Sequence, residues 1–155
     1  EEGTMPCDGK GPEVTIRELR LEDYPAAQRL WTEAGLPFRP QGRDRLEKVA
    51  AELERGTAIF LLAEAGSDVV GVVLGTHDGR KGWINRLAVS PVYRRRGVAR
   101  MLVDEVEARL AALHLDIAAA LVESHNRASM DFFRAIGYVH DPEIEYFSKR
   151  RSAET

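Results

Sequence analysis

The 155-residue sequence contains a single cysteine, Cys7, and no long apolar run. One cysteine cannot form an internal disulfide or a cysteine-rich metal cluster, and no basic start followed by an apolar stretch suggests secretion. No apolar run approaches the ~20 residues that cross a bilayer. We therefore expect a protein of the reducing cytoplasm, with no membrane partner and no bound metal.

An excess of positive charge is also absent. The 22 Lys and Arg residues stand against 25 Asp and Glu residues, for a formal net charge of -3. Such a chain has no global cationic field that would bind a phosphate backbone, and its basic residues are not interleaved with aromatic ones. These absences argue against a nucleic-acid binder that uses Arg94 to Arg96.

The common nucleotide motifs are missing as well. No Gly-x-Gly-x-x-Gly follows a predicted strand, and no Gly-Lys-Ser/Thr supplies a P-loop lysine, which disfavours dinucleotides and ATP. With 44% hydrophobic residues the chain is long enough for one domain with its own core. We predict a mobile tail or tag remnant over residues 1–12, a single domain over 13–150 and a polar tail over 151–155.

Apolar periodicity predicts the order of elements: a strand, two helices, three antiparallel strands, a helix, a strand, a helix and a last strand. The clearest helix begins after Gly97, where apolar residues recur every three or four positions as far as Leu113. The last strand is expected around the alternating stretch EIEYFS, residues 143–148.

The stretch VSPVYRRRGVAR, residues 89–100, lies where a predicted strand gives way to that helix. A helix start exposes unpaired N–H groups and carries a partial positive charge. Gly97 allows a ligand to approach the backbone, and Ala99 keeps the first turn free of bulk. With the arginines nearby, this pattern predicts a pyrophosphate cradle, although a basic run is more often a solvated surface patch.

These residues resemble the acetyl-coenzyme A motif of the Gcn5-related N-acetyltransferase family. A Leu-x-Val-x-Pro pattern followed by Arg-x-x-Gly-x-Ala is matched by Leu87, Val89, Pro91, Arg94, Gly97 and Ala99. A second block, with family-like spacing, contains Asn126, Ala128, Phe133, Gly137 and Tyr138. The resemblance covers Val14 to Lys149.

The resemblance implies an α/β (α+β) fold with a central mixed, mostly antiparallel sheet of six to seven strands and about four helices. It implies acetyl-coenzyme A as co-substrate and transfer of its acetyl group to a primary amine, on a small molecule or a protein, by a monomer or homodimer. The N–H of Val89 would bond to the thioester carbonyl. The coenzyme-binding residues would be Leu87, Ala88, Val89, Arg94, Arg95, Arg96, Gly97, Val98, Ala99, Arg100, Asn126 and Phe133. Asn126 would otherwise only cap its helix.

The catalytic groups are less clear than the coenzyme site. The strand that carries a glutamate in many relatives has Asn85 and Arg86 instead, so Glu123 is the substitute base that we consider first, with His125 as a second choice. Both would otherwise be exposed loop residues. Phe133 replaces the tyrosine that serves many relatives as a general acid.

The sequence also leaves open an alternative function and the role of four aromatic and basic residues. Without the usual glutamate and tyrosine, the chain would be a non-catalytic acyl-coenzyme A binding module on the same fold. By the same resemblance, four residues would line the acceptor site: Trp31, Phe38, Arg39 and Tyr146. They would otherwise be core or surface residues.

Overall fold

The computed structural model describes residues 11–153 and 155, so the predictions for residues 1–10, including Cys7, lie outside the described residues. The elements follow the predicted order as far as the fourth helix. The strands are β1 (Val14–Glu18), β2 (Ala58–Ala65), β3 (Asp68–His77), β4 (Gly82–Val89) and β5 (Ala118–Ala120). The helices are α1 (Tyr24–Glu33), α2 (Leu46–Glu54), α3 (Val98–Ala112) and α4 (Arg127–Ala135), with 3₁₀ turns at Leu21–Asp23 and Pro91–Tyr93.

The five strands lie in the sheet in chain order. β1 to β4 pair antiparallel, whereas β5 returns through α3 and pairs parallel with β4. The parallel ladder is short, because only residues 82–84 of β4 pair with β5. Beyond Ile84 the two strands part, which leaves one edge of β4 open as far as Val89.

Each face of the sheet carries its own hydrophobic cluster. On one face the apolar stripe of α3, including Leu102, Val106 and Leu110, packs on the strands. On the other face α1 and α2 contribute Trp31 and Val49. Strand residues divide between the clusters by alternation, as expected for a sheet that is covered on both sides. The result is a single sheet between two helical layers.

α3 lies close to the sheet because the strand positions beneath it are glycines. A Cβ placed on Gly71 would lie 3.0 Å from Cδ1 of Leu102, and one on Gly75 would lie 3.0 Å from Cγ1 of Val106. A Cβ on Gly82 would lie 2.2 Å from Cδ1 of Leu110. The missing side chains therefore set the distance between this helix and the sheet.

The prediction of six to seven strands is wrong for the described residues, which form five, while the mixed sheet and the four α-helices are confirmed. The expected strand at residues 143–148 is absent, and Ile144, Tyr146 and Phe147 are exposed. Alternation favours a strand, but the backbone of a strand needs a neighbour with which to bond. No helix within the described ranges combines the length and apolarity needed to cross a membrane.

We predict that Gly82→Ala lowers the free energy of unfolding by about 1–3 kcal/mol, the usual cost of overpacking a filled core. Leu110 is 1% exposed, so its side chain has no solvent-filled space into which to move. Urea unfolding measures the effect. Gly82→Ala combined with Leu110→Val should lose less stability than the two single variants together, and strict additivity would contradict the contact.

Candidate functional site

The loop between β4 and α3 ends in a left-handed turn that exposes a row of backbone donors. The φ angle is 61° at Arg95 and 78° at Gly97, the residue that caps α3. The N–H groups of residues 95–100 have no acceptor among the described residues, whereas Met101 already donates to the carbonyl of Gly97. No atom beyond the neighbouring residues lies within 4 Å of the place that a Cβ on Gly97 would take. A phosphate group therefore fits this turn.

The arginines around this turn are all exposed. The guanidinium of Arg96 lies over the ring of Tyr93, 5.1 Å from its centre, and Arg100 pairs with Asp104 at 3.8 Å. Arg94 and Arg95 form no ion pair within the part of the chain that the structure describes. Positively charged side chains thus surround the turn on the protein surface, and backbone N–H groups line the turn itself.

The open edge of β4 begins beside this turn. Ser90 donates its N–H to the carbonyl of Val70 on β3 at 2.8 Å. In an antiparallel ladder, residues alternate between bonding to the partner strand and facing away from it. Val89, opposite Gly71, therefore faces away from β3, towards the edge from which β5 has parted. Its N–H is available there to a bound carbonyl.

Of the predicted site residues after β5, Asn126 caps a helix, whereas Glu123 and His125 are exposed. Oδ1 of Asn126 accepts the N–H of Ser129 at 3.1 Å, which confirms the predicted helix cap. The Glu123 side chain is 63% exposed, and its carboxylate lies 3.1 Å from Nε2 of His125. The predicted base and its alternative therefore form an exposed pair.

Phe133 lies in the hydrophobic cluster beneath α4 and is 9% exposed. Its ring packs edge-on against Phe132 and Tyr138. The Tyr138 hydroxyl donates to Glu107 at 2.6 Å, and burial together with this bond raises the pKa of Tyr138 above its ordinary value. This tyrosine consequently keeps its proton, and the coenzyme contact of Phe133 stays a prediction.

A cavity of about 160 Å³ opens on the face of the sheet that α1 and α2 cover. A β-bulge in the β3–β4 ladder, with φ of 49° at Arg86, turns Asn85 and Arg86 towards the same face. Both residues therefore line the cavity. The other walls come from α1, α2, their connection and two strands: Trp31, Arg43, Asp44, Val49, Glu52, Phe60, Leu74 and Thr76.

Asp44 ties the α1–α2 connection to β4. Its carboxylate accepts from Nη2 of Arg86 at 2.9 Å and from the N–H of Arg39 at 2.5 Å. Its carbonyl accepts the hydroxyl of Tyr24. The Asp44 and Arg86 side chains are only 9% and 15% exposed. A largely buried ion pair therefore lines the cavity.

The Arg86 guanidinium is confined on several sides. It lies over the Trp31 ring, 4.7 Å from its centre, and the indole N–H of Trp31 donates to the Arg86 carbonyl at 3.2 Å. Its Nη1 is buried and has no hydrogen-bond partner among the described residues. Burial lowers the pKa of Arg86 and raises that of Glu52, which lines the same cavity.

Sequence patterns did not reveal this cavity, although Trp31 was expected near an acceptor. Asp44 and Arg86 are 42 positions apart, and no short motif contains both. Of the other residues expected at the acceptor site, Phe38 packs against Trp31, and Tyr146 is 66% exposed in the C-terminal segment. Among the described residues, no group of three or more His, Cys, Asp or Glu could hold a metal ion.

Comparison with known families gives one match that spans most of the chain. The model described as the acetyltransferase (GNAT) family matches residues 15–138. The matched range includes β1 from its second residue, β2 to β5, the turn at the start of α3, and α4.

Solved structures with the same fold share about a fifth of the sequence. AAC(6')-Iy, in complex with the bisubstrate analogue CoA-S-monomethyl-acetylneamine, is 20% identical, with a TM-score of 0.75 over 89% of this chain and 99% of that one. The aminoglycoside 6'-N-acetyltransferase AAC(6')-Ig of Acinetobacter haemolyticus is 20% identical, with a TM-score of 0.73 over 89% and 99%. The PaiA N-acetyltransferase of Thermoplasma acidophilum, in complex with coenzyme A, is 21% identical, with a TM-score of 0.73 over 83% and 91%.

We predict that Asp44→Ala lowers the free energy of unfolding by about 3–5 kcal/mol, because it leaves the buried Arg86 guanidinium without its counter-charge. Thermal and urea unfolding measure the loss. Arg43→Ala is the matched control, since its side chain is 42% exposed and its Nε lies 3.9 Å from Asp44. It should cost less than about 0.5 kcal/mol. Equal losses in the two variants would contradict a structural role for the buried pair.

Proposed function

Because the chain belongs to the acetyltransferase (GNAT) family, we propose that it transfers the acetyl group of acetyl-coenzyme A to a primary amine. The observation that carries this proposal is a row of N–H groups at residues 95–100, which have no acceptor in the part of the chain that the structure describes and which lie beside the open edge of β4. The N–H groups suit a pyrophosphate, and the open edge of β4 suits an extended chain that continues the sheet. Acetyl-coenzyme A has both parts, and its thioester supplies the activated acyl group.

In this proposal the backbone does most of the binding. The N–H groups from Arg95 to Arg100 hold the pyrophosphate, with Gly97 allowing close approach and Arg94 and Arg95 adding charge. Val89, with the main chain of Leu87 and Ala88, pairs with the pantetheine arm along the open edge. The side chains of Leu87 and Val89 pack against the α3 cluster, so their contribution to this binding comes from the main chain.

Acetyl transfer then requires a stabilised oxyanion and a neutral amine. A preorganised donor at the carbonyl oxygen stabilises the tetrahedral state without reorganisation. In this proposal the donor is the Val89 N–H, which faces the open edge of β4. The amine attacks the carbonyl carbon, the C–S bond breaks, and the thiolate leaves. We propose Glu123 as the group that takes the amine proton, with His125 beside it.

A thiolate is a passable leaving group, since the pKa of a thiol is near 8.5. The phenyl ring of Phe133 cannot donate a proton, so we expect solvent or a nearby hydroxyl to protonate the sulfur. General acid catalysis typically contributes about 10²–10⁴-fold. The enzyme should accordingly be slow rather than inactive.

A broad panel of primary amines, followed by detection of the released thiol, tests the proposed activity. Acetylation of any amine at a rate above that of thioester hydrolysis supports it. If the protein binds coenzyme A and acetylates none, the non-catalytic binding module becomes the better account, as the absence of a carboxylate on β4 would then suggest.

We predict that Gly97→Glu weakens coenzyme A binding by roughly a hundredfold or more, because a carboxylate would stand among the N–H donors that bind the pyrophosphate. Titration calorimetry measures the affinity. Gly79→Glu is the control, since Gly79 also has a positive φ, 82°, and open space around it. It carries the same charge and backbone strain away from α3, and it should bind coenzyme A normally. Unchanged affinity in a folded Gly97→Glu protein would eliminate the cradle.

We predict that Glu123→Gln lowers kcat by roughly a hundredfold, while coenzyme A affinity changes little, because the amide cannot accept the amine proton. The pH–rate profile and calorimetry measure the two effects. Glu54→Gln removes an exposed carboxylate on α2 and serves as the control. A pH–rate profile that Glu123→Gln leaves unaltered would remove Glu123 from the mechanism.

A further inference from the structure

The cavity above Asn85 and Arg86 is small, and its volume limits what enters. At about 30 Å³ per water molecule, 160 Å³ corresponds to about five waters, whereas pockets for drug-sized ligands start near 300 Å³. A small molecule, or one end of a larger one, fits this volume. The aromatic walls from Trp31 and Phe60 suit a compact ligand with an apolar part.

The cavity also has an unused hydrogen-bond donor. Nη1 of Arg86 is buried and has no partner within residues 11–153 and 155, although Nη2 is bonded to Asp44. A buried N–H without an acceptor is costly, so native structures nearly always satisfy such groups. Because the guanidinium is held by Asp44 and stacked on Trp31, it cannot swing out to solvent for a partner. An acceptor that enters the cavity, which Arg86 lines, would satisfy this donor.

The Arg86 guanidinium favours an anionic acceptor group at this position. Asp44 compensates one guanidinium, and Arg43 stands at the same wall as a second, more exposed cation. Glu52 on α2 also lines the cavity, so the four charged side chains at its walls sum formally to zero. An oxyanion is therefore attracted locally, by the hydrogen-bond donor of Arg86, rather than by the overall charge of the cavity.

We propose that Arg86 is the specificity-determining residue of the acceptor site, and that the acceptor is a small amine carrying a carboxylate, as an amino acid does. One carboxylate oxygen accepts from Nη1 of Arg86. The amine on the neighbouring carbon then lies near Arg86 on β4. Arg86 precedes Val89 by only three residues. This choice of acceptor rests on the proposed acetyl transfer, whereas the carboxylate contact does not.

The test compares pairs of ligands that differ only in the carboxylate: alanine with ethylamine, and leucine with isopentylamine. Calorimetry on the protein saturated with coenzyme A should show the amino acid binding about tenfold to a hundredfold more tightly than its partner, the range of one charge-assisted hydrogen bond. The same ratio should appear in kcat/KM, mainly through KM, when thiol release is measured with acetyl-coenzyme A.

The variant Arg86→Gln should bring this ratio close to one. Because that change leaves Asp44 buried without a counter-charge, the double variant Asp44→Asn/Arg86→Gln removes both charges and keeps the test valid if the single variant does not fold. Arg43→Gln is the matched control from the same cavity, and it should change the ratio by less than about threefold, as an exposed cation does.

The outcomes separate the two proposals. Carboxylate-dependent binding without turnover of any amine supports the Arg86 contact and contradicts the proposed activity. Turnover with equal preference for both ligands of each pair contradicts the Arg86 contact and leaves the acetyltransferase intact. A preference that survives in the folded double variant would also overturn the assignment of Arg86.

Discussion

The close packing of α3 on the glycine positions of the sheet is the constraint on which the site depends. The helix can lie directly on the strands because Gly71, Gly75 and Gly82 leave room for its apolar stripe. The first turn of this helix follows the end of β4 after a short loop. The N–H groups of residues 95–100, which have no acceptor within residues 11–153 and 155, therefore follow directly on the strand that carries the outward N–H of Val89.

On the opposite face of the sheet an ion pair adds to the hydrophobic cluster that α1 and α2 form with the strands. The α1–α2 connection carries no regular secondary structure, yet its end is held to β4 by the pair of Asp44 and Arg86. Such a pair contributes little net stability when it is complete but makes its partners dependent on one another. The cavity wall and the position of β4 are consequently coupled.

Much of this architecture could be predicted from local patterns, since strand alternation and the period of α3 report directly on burial. The turn at Gly97 was also predictable, because a helix start and its glycine are adjacent in the sequence. The cavity was not predictable, since the pairing of Asp44 with Arg86 arises only when a distant loop meets the sheet. The error at residues 143–148 has the opposite cause, because a local pattern was present without a neighbouring strand.

The β-bulge gives β4 one residue more than a regular strand, in which successive side chains alternate between the two faces, would have at this point. Before it, even-numbered positions such as Gly82 and Ile84 face α3, and after it the odd-numbered Leu87 and Val89 do. Arg86 is the extra residue, so a strand shorter by that residue alone would keep the alternation on both sides of the bulge but would leave the Asp44 carboxylate without its ion-pair partner. Loss or gain of a single residue at this point would therefore change the charged groups that line the cavity, while Leu87 and Val89 keep their face of the sheet. The length of β4, and not only the identity of its side chains, determines which groups line the cavity.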